Sequence, residues 1–212
     1  MNILAHRGCW GKASEKNSRR SLNRALALGF GIETDLRDFK GEIIVSHDIP
    51  NSESLSFEQL LQDYCIHESK SVLGLNVKSD GQAALVSDLL KKHEVENYYF
   101  FDMSIPDSMD YISRGLNVYQ RISEFESVNK LTEKANGFWL DSFTGETDFS
   151  ASIEALAEFD KPICIVSEEL HSRNKERQWG ELYAIYRAND KLELAICTDM
   201  PEQAREFFNE FN

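Results

Sequence analysis

Glu33 and Asp35 stand two residues apart in the run Ile32-Glu33-Thr34-Asp35-Leu36. On a strand, residues i and i+2 project to one face with about 6.6 Å between their Cα atoms. Two carboxylates that close repel by roughly 3 kcal/mol at an effective dielectric near 20. Such a pair shares a proton, finds a basic partner or holds a cation. Oxygen ligands of this kind suit Mg²⁺, Ca²⁺ or Mn²⁺ rather than Zn²⁺. On an acidic chain the triplet also fits one solvated carboxylate beside another that caps a loop.

His6 follows the apolar run Asn2–Ala5, and His47 follows Glu42–Ser46, so both can converge on one mouth. Paired imidazoles supply a general base and a general acid for a single displacement. Asp48 is placed either to orient His47 or to cap the next turn. Arg7 carries a fork of donors that matches two phosphate oxygens.

These residues need strands to hold them, and the chain offers many. Short apolar runs at Asn2–Ala5, Ile32–Leu36, Val72–Val77, Tyr98–Phe101, Leu116–Tyr119, Gly137–Leu140, Pro162–Val166 and Leu194–Cys197 read as strands. Helical patterns fall between and after them, at Ser18–Leu28, Ser56–Tyr64, Gly81–Lys92, Pro106–Ser113, Phe125–Ala135, Ala151–Phe159, Glu176–Arg187 and Pro201–Phe208. Ser56 and Gln59 have capping-box spacing, and Pro106 and Pro201 suit a first helical turn. Glu42–Ser46 follows Lys40-Gly41 as the return arm of a hairpin. Eight β-then-α units in series favour a (β/α)8 TIM barrel with a small β-hairpin insertion after the second barrel strand. Residues 1–212 show no linker or repeat and are expected to form a single domain.

In that fold, function gathers at the C-terminal ends of the strands. His6-Arg7, Glu33, Asp35, Asn76, Lys78, Asp102, Arg121, Trp139, Asp141 and Asp199 all fall there. Arg121 offers a fork to a second anionic group. Trp139 with Asp141 fits a platform for a polyol or sugar ring, and Trp139 equally fits the packed rim of a barrel. Phe143 and Phe149 flank an acidic loop that could be a contact patch, and Ser167–Trp179 reads as a solvated connection into the next helix.

Composition narrows the partners. The chain carries 23 Lys and Arg against 36 Asp and Glu, a net charge of −13, which opposes nucleic-acid backbones and anionic lipid surfaces. Cysteines at 9, 65, 164 and 197 form no CxxC and no disulfide framework. No apolar run approaches the ~20 residues that span a bilayer. His6-Arg7-Gly8 follows the first apolar run too soon for a signal peptide, so a cytoplasmic protein without stable membrane association is expected.

Taken in order, these motifs resemble the glycerophosphodiester phosphodiesterase family, a (β/α)8 barrel fold. That family has His-Arg-Gly after its first strand, as His6-Arg7-Gly8 stands here, and Ile-Glu-x-Asp, as Ile32-Glu33-Thr34-Asp35. Its Gly-turn hairpin ends in His-Asp, as Gly41 and Val45-Ser46-His47-Asp48, and its Thr-Asp-x-Pro matches Thr198-Asp199-Met200-Pro201. The resemblance implies His6 and His47 as the acid/base pair, Glu33 and Asp35 as ligands of a divalent metal, and Arg7 and Lys78 as phosphate binders. It implies metal-dependent hydrolysis of a small glycerophosphodiester to a phosphomonoester and an alcohol, by attack of a neighbouring hydroxyl on phosphorus.

Two positions depart from the pattern. Asn76-Val77-Lys78 stands where the family has Glu-x-Lys, so a neutral amide oxygen replaces the third acidic ligand and Asp102 is the candidate to compensate. Lys16-Asn17-Ser18 stands where the family has Glu-Asn-Thr. These departures keep two alternatives in view, a barrel that binds a phospho-ligand without turning it over and a phospholipase-like enzyme acting on membrane lipid.

Overall fold

The computed structural model describes residues 1–67, 71–189 and 191–209. The chain divides into two compact units, Leu4–Val118 and a second made of Met1–Ile3 with Tyr119–Asn212.

In the first unit, β1 (Asn2–His6), β2 (Gly31–Phe39), β4 (Leu73–Val77) and β5 (Tyr98–Phe101) run parallel. β3 (Glu42–Val45) folds back antiparallel on β2 through the Lys40-Gly41 turn, the hairpin expected from the sequence. Leu4, Ile32, Leu36, Leu75, Phe100 and Phe101 are sealed from solvent, which explains near-continuous apolar runs in place of alternation.

Helices α1 (Arg19–Ala27), α2 (Phe57–Ile66), α3 (Ala83–Lys92) and α4 (Ile105–Ser113) alternate with these strands. Their starts follow side-chain chemistry. Ser18 accepts from the Ser21 amide, Ser56 and Gln59 close a reciprocal capping box, and Ser104 caps α4 with Pro106 in its first turn. Gly8 lets α1 approach the loop after β1. Its φ is +88°, and a Cβ there would lie 2.6 Å from the Ser21 carbonyl carbon.

In the second unit, β6 (Tyr119–Ile122), β7 (Gly137–Leu140), β8 (Ile163–Val166) and β9 (Leu194–Thr198) pair in parallel, in that order. Helices α5 (Phe149–Ala157), α6 (Glu176–Ala188) and α7 (Pro201–Asn209) follow β7, β8 and β9. Phe138, Leu140, Ile153, Ile165, Leu182 and Ile196 centre its core. Eight parallel-type strands with helices between them place the chain in the (β/α)8 class, and no helix among the described residues is long and apolar enough to cross a membrane.

Three expectations are corrected here. The fifth barrel strand is Tyr119–Ile122, not Leu116–Tyr119, with Leu116 and Val118 as buried residues leading into it. Its register is set where Tyr119 pairs with Gly137, because a Cβ at Gly137 would come within 2.5 Å of the Tyr119 ring. Phe125–Ala135 is not a helix. The Asn129 side chain accepts from Leu131 N, Thr132 Oγ1 accepts from Asn129 N, and Ser123 Oγ accepts from Phe125 N, so short polar side chains take the backbone into turns. Ser167–Trp179 is not simply solvated either, since Ser167, Glu168, Gln178 and Trp179 are buried.

Candidate active site

The first unit gathers most of the expected residues around the strand ends. His6 is the register partner of Glu33, and its Nε2 lies 3.8 Å from Glu33 Oε2. Asp35 is the register partner of Asn76 on the other side of β2. The period of two therefore holds, and Glu33 and Asp35 share a face between β1 and β4.

Asp35 is fully buried and organises two cations. Its Oδ2 lies 2.9 Å from Arg7 Nε, and its Oδ1 lies 3.3 Å from Lys78 Nζ. A third partner was not foreseen. Asn17 Nδ2 donates to Asp35 Oδ2 at 2.8 Å, while Asn17 Oδ1 accepts from Thr34 Oγ1 at 2.8 Å. Arg7, Asn17 and Asp102 all adopt positive φ, at 58°, 59° and 70°. Asn and Asp tolerate that region, so Asn17 before a Ser cap was the available signal. Arg7 is held there by its amide on the Glu33 carbonyl and by its own carbonyl accepting from Asn17 N.

Glu33 has the long contact to His6 as its ion pair. Burial, followed by the neighbouring Asp35 charge, pushes its carboxyl well above the usual range, against the pull of Arg7 and Lys78. Asn76 Nδ2 donates to Asp102 Oδ2 at 2.9 Å. Glu33 Oε2, Asp35 Oδ1 and Asn76 Oδ1 are all buried without a hydrogen bond, and Asp35 Oδ1 has only its ion pair with Lys78. Each of these oxygens belongs to a residue expected to ligate a metal. Among the described residues no three His, Cys, Asp or Glu side chains gather as a metal site. A hard divalent cation would instead meet two carboxylates and one amide oxygen, and that donor set fits it.

His47 sits on the loop after β3, half exposed, with Nδ1 2.9 Å from Asp48 Oδ1. It shares with Arg7, Asn17 and Ser46 an open cleft of about 640 Å³. The alternative role for Asp48, as a cap, gives way to its contact with the imidazole, which lowers the Asp48 pKa.

The second unit holds Arg121, Trp139, Asp141 and Asp199, the last with its amide on Glu169 Oε1 at 3.2 Å. Arg121 forks onto Glu126, with Nε 2.7 Å from Oε2 and Nη2 3.0 Å from Oε1, and lies 5.3 Å over the Phe143 ring. Trp139 is buried at 4% exposure, which matches the packed-rim reading. Asp141 accepts from His171 Nε2 at 2.7 Å, a partner the sequence did not suggest.

No protein-family model and no curated protein sequence matches the chain. Solved structures do resemble it. A glycerophosphodiester phosphodiesterase from Parabacteroides distasonis ATCC 8503 aligns with a TM-score of 0.76 at 16% identity, over 99% of this chain and 97% of that one. An Oleispira antarctica phosphodiesterase in complex with the product sn-glycerol-3-phosphate gives 0.74 at 14%, over 99% and 97%. A Ca²⁺-dependent phosphatidylinositol-specific phospholipase C from Streptomyces antibioticus gives 0.56 at 10%, over 96% and 95%. At these identities the likeness establishes the (β/α)8 fold.

Proposed function

We propose that residues 1–212 act as one catalytic domain that hydrolyses a small phosphodiester bearing a hydroxyl beside the scissile phosphate. The observation that carries this reading is the first unit's cluster. Two cations are fixed on buried Asp35, and buried oxygens of Glu33 and Asn76 that take no hydrogen bond lie on the adjoining strand positions, with His6 beside Glu33. The likeness in fold to glycerophosphodiester phosphodiesterases, one of them with sn-glycerol-3-phosphate bound, supports a glycerophosphodiester as the substrate class.

In this reading Arg7 and Lys78 hold the nonbridging phosphate oxygens. Asp35 fixes Arg7 through Nε, which leaves the terminal guanidinium nitrogens for the phosphate. One imidazole takes the proton from the neighbouring hydroxyl as its oxygen bonds to phosphorus. The other gives a proton to the departing alcohol oxygen, so the leaving group departs neutral. Water then opens the cyclic phosphate with the two roles exchanged. Asp48 keeps His47 oriented by its contact with Nδ1. A divalent cation held by Glu33, Asp35 and Asn76, with Asp102 acting through Asn76, would supply positive charge against the charge that develops on phosphate.

The test is alcohol release from a panel of glycerophosphodiesters by metal-stripped protein, followed by ³¹P NMR before and after adding Mg²⁺, Mn²⁺ or Ca²⁺. Release restored by a cation supports the reading. Folded protein that is inert with every cation and substrate overturns it in favour of a phospho-ligand-binding barrel.

A further inference from the structure

β2 sends every second side chain to one face, and each of the first two contacts it makes there sets a group of the proposed reaction. Glu33 lies beside His6, with 3.8 Å between Oε2 and Nε2, and Asp35 holds Arg7 and Lys78. Arg37 is the next residue of that series, about 6.6 Å further along the strand. It stands opposite Ile44 in the β2–β3 hairpin, and its Nε donates to the His47 carbonyl at 3.1 Å. Among the described residues the Arg37 guanidinium makes no other hydrogen bond and no ion pair.

The two ends of that bond differ in what holds them. On the Arg37 side, the Lys78 amide donates to the Leu36 carbonyl at 2.9 Å, the Asp38 amide donates to Ser79 Oγ at 3.2 Å, and Leu36 pairs with Val45. His47 lies past the end of β3, on a segment without regular structure. The Ser46 amide reaches the Asp35 carbonyl at 2.9 Å, but among the described residues the one hydrogen bond to the His47 backbone comes from Arg37. The Asp48 side chain that contacts the imidazole is 95% exposed, so it moves with the loop instead of anchoring it. Ile49 is 87% exposed and adds no packing.

We propose that Arg37 is a positioning residue for His47, holding its backbone so that the imidazole keeps a fixed place relative to Asp35 and the two cations on it. One strand then sets the phosphate site and an acid/base group together. The proposal rests on the diesterase reading. Proton transfer needs a heavy-atom separation of about 2.6–3.2 Å, and a misplacement of about 1 Å can cost on the order of 10²-fold in rate. Arg7, Lys78 and the oxygens that fit a cation are held without Arg37, so its loss falls on kcat and leaves binding in place. The bond to His47 uses one N–H at the Nε position, so it needs a donor there and not a charge.

The experiment compares the unaltered protein with Arg37→Met, which keeps the stem and removes every donor, and Arg37→Gln, which keeps an uncharged N–H at the place of Nε. It measures kcat, KM and cation affinity on glycerophosphocholine, glycerophosphoethanolamine and glycerophosphoinositol with Mg²⁺, Mn²⁺ or Ca²⁺, and follows the His47 ring by ¹H–¹⁵N NMR. In Arg37→Met kcat is expected to fall about tenfold or more, with KM and cation affinity within about twofold, and Arg37→Gln should recover most of the rate. The His47 ring signals should move in Arg37→Met while those of His67, His93 and His171 stay. Arg37→Met as fast as the unaltered protein, a loss carried by KM, or Arg37→Gln as slow as Arg37→Met overturns the proposal. An unaltered protein inert on every diester with every cation overturns the diesterase reading instead. The ring signals then decide the positioning alone: His47 moved in Arg37→Met and restored in Arg37→Gln supports it, and His47 unmoved overturns it.

Discussion

Asn76 gives its amide nitrogen to Asp102 at 2.9 Å, and that hydrogen bond decides which atom of Asn76 is left over. The remaining oxygen is buried and takes no hydrogen bond, like Glu33 Oε2 on β2. In the proposed site, Asn76 thus offers a neutral oxygen, on a side chain one methylene shorter, where the family it resembles has a glutamate.

Asn76→Asp is the direct test of that relationship. It replaces the donated hydrogen bond with a second carboxylate against Asp102, and unit charges about 4 Å apart repel by about 4 kcal/mol at an effective dielectric near 20. In chelator the variant is expected to melt well below the unaltered protein, and Ca²⁺ or Mn²⁺ should restore most of the loss. Equal melting temperatures with and without cation would contradict the assignment of Asn76.

Asn17 positions Asp35 through its side chain and holds its own positive φ through residue type. Asn17→Ala is expected to cost roughly 2–3 kcal/mol from two lost hydrogen bonds and the strained backbone. Asn17→Gly removes the same bonds and relieves the backbone, so it should be about 1 kcal/mol more stable than Asn17→Ala. Turnover should fall alike in both, because Asp35 loses the same partner. Denaturant melts and steady-state rates on the pair separate the two effects.

Glu124 makes the second unit acid-sensitive. Burial alone would raise its carboxyl, but hydrogen bonds from Ser142, Phe143 and Thr144 outweigh burial and hold it far below the ordinary range, with Arg173 nearby. A depressed folded-state pKa contributes stability that is present above the unfolded value of about 4.3 and is lost as pH falls through the folded one. The 142–144 loop is therefore expected to lose hydrogen-exchange protection as pH drops below that value. Glu124→Gln should lack protection at neutral pH and show little further change in acid. A loop equally protected in both proteins at pH 7 would contradict the clamp.

The parts legible in the sequence were those governed by local rules. Period two put Glu33 and Asp35 on one face, a three-residue spacing gave the Ser56–Gln59 box, and Lys40-Gly41 gave the hairpin. What escaped depended on partners distant in sequence or on competing side chains. Phe125–Ala135 carries enough apolar residues for a helix, yet Ser123, Asn129 and Thr132 bind the backbone into turns. Arg121 reads as an anion fork, but Glu126 five residues on takes both of its arms. His171 meets Asp141 across 30 residues, and no local pattern announces the pair.

The most direct test of the central claim compares the unaltered protein with His47→Ala for turnover of a glycerophosphodiester at saturating cation, alongside cation affinity measured on both. The prediction is cation-dependent alcohol release by the unaltered protein, a loss of at least about 10²-fold in His47→Ala, and unchanged cation binding. An unaltered protein that releases no alcohol with any cation, or a His47→Ala variant as fast as its parent, would contradict it.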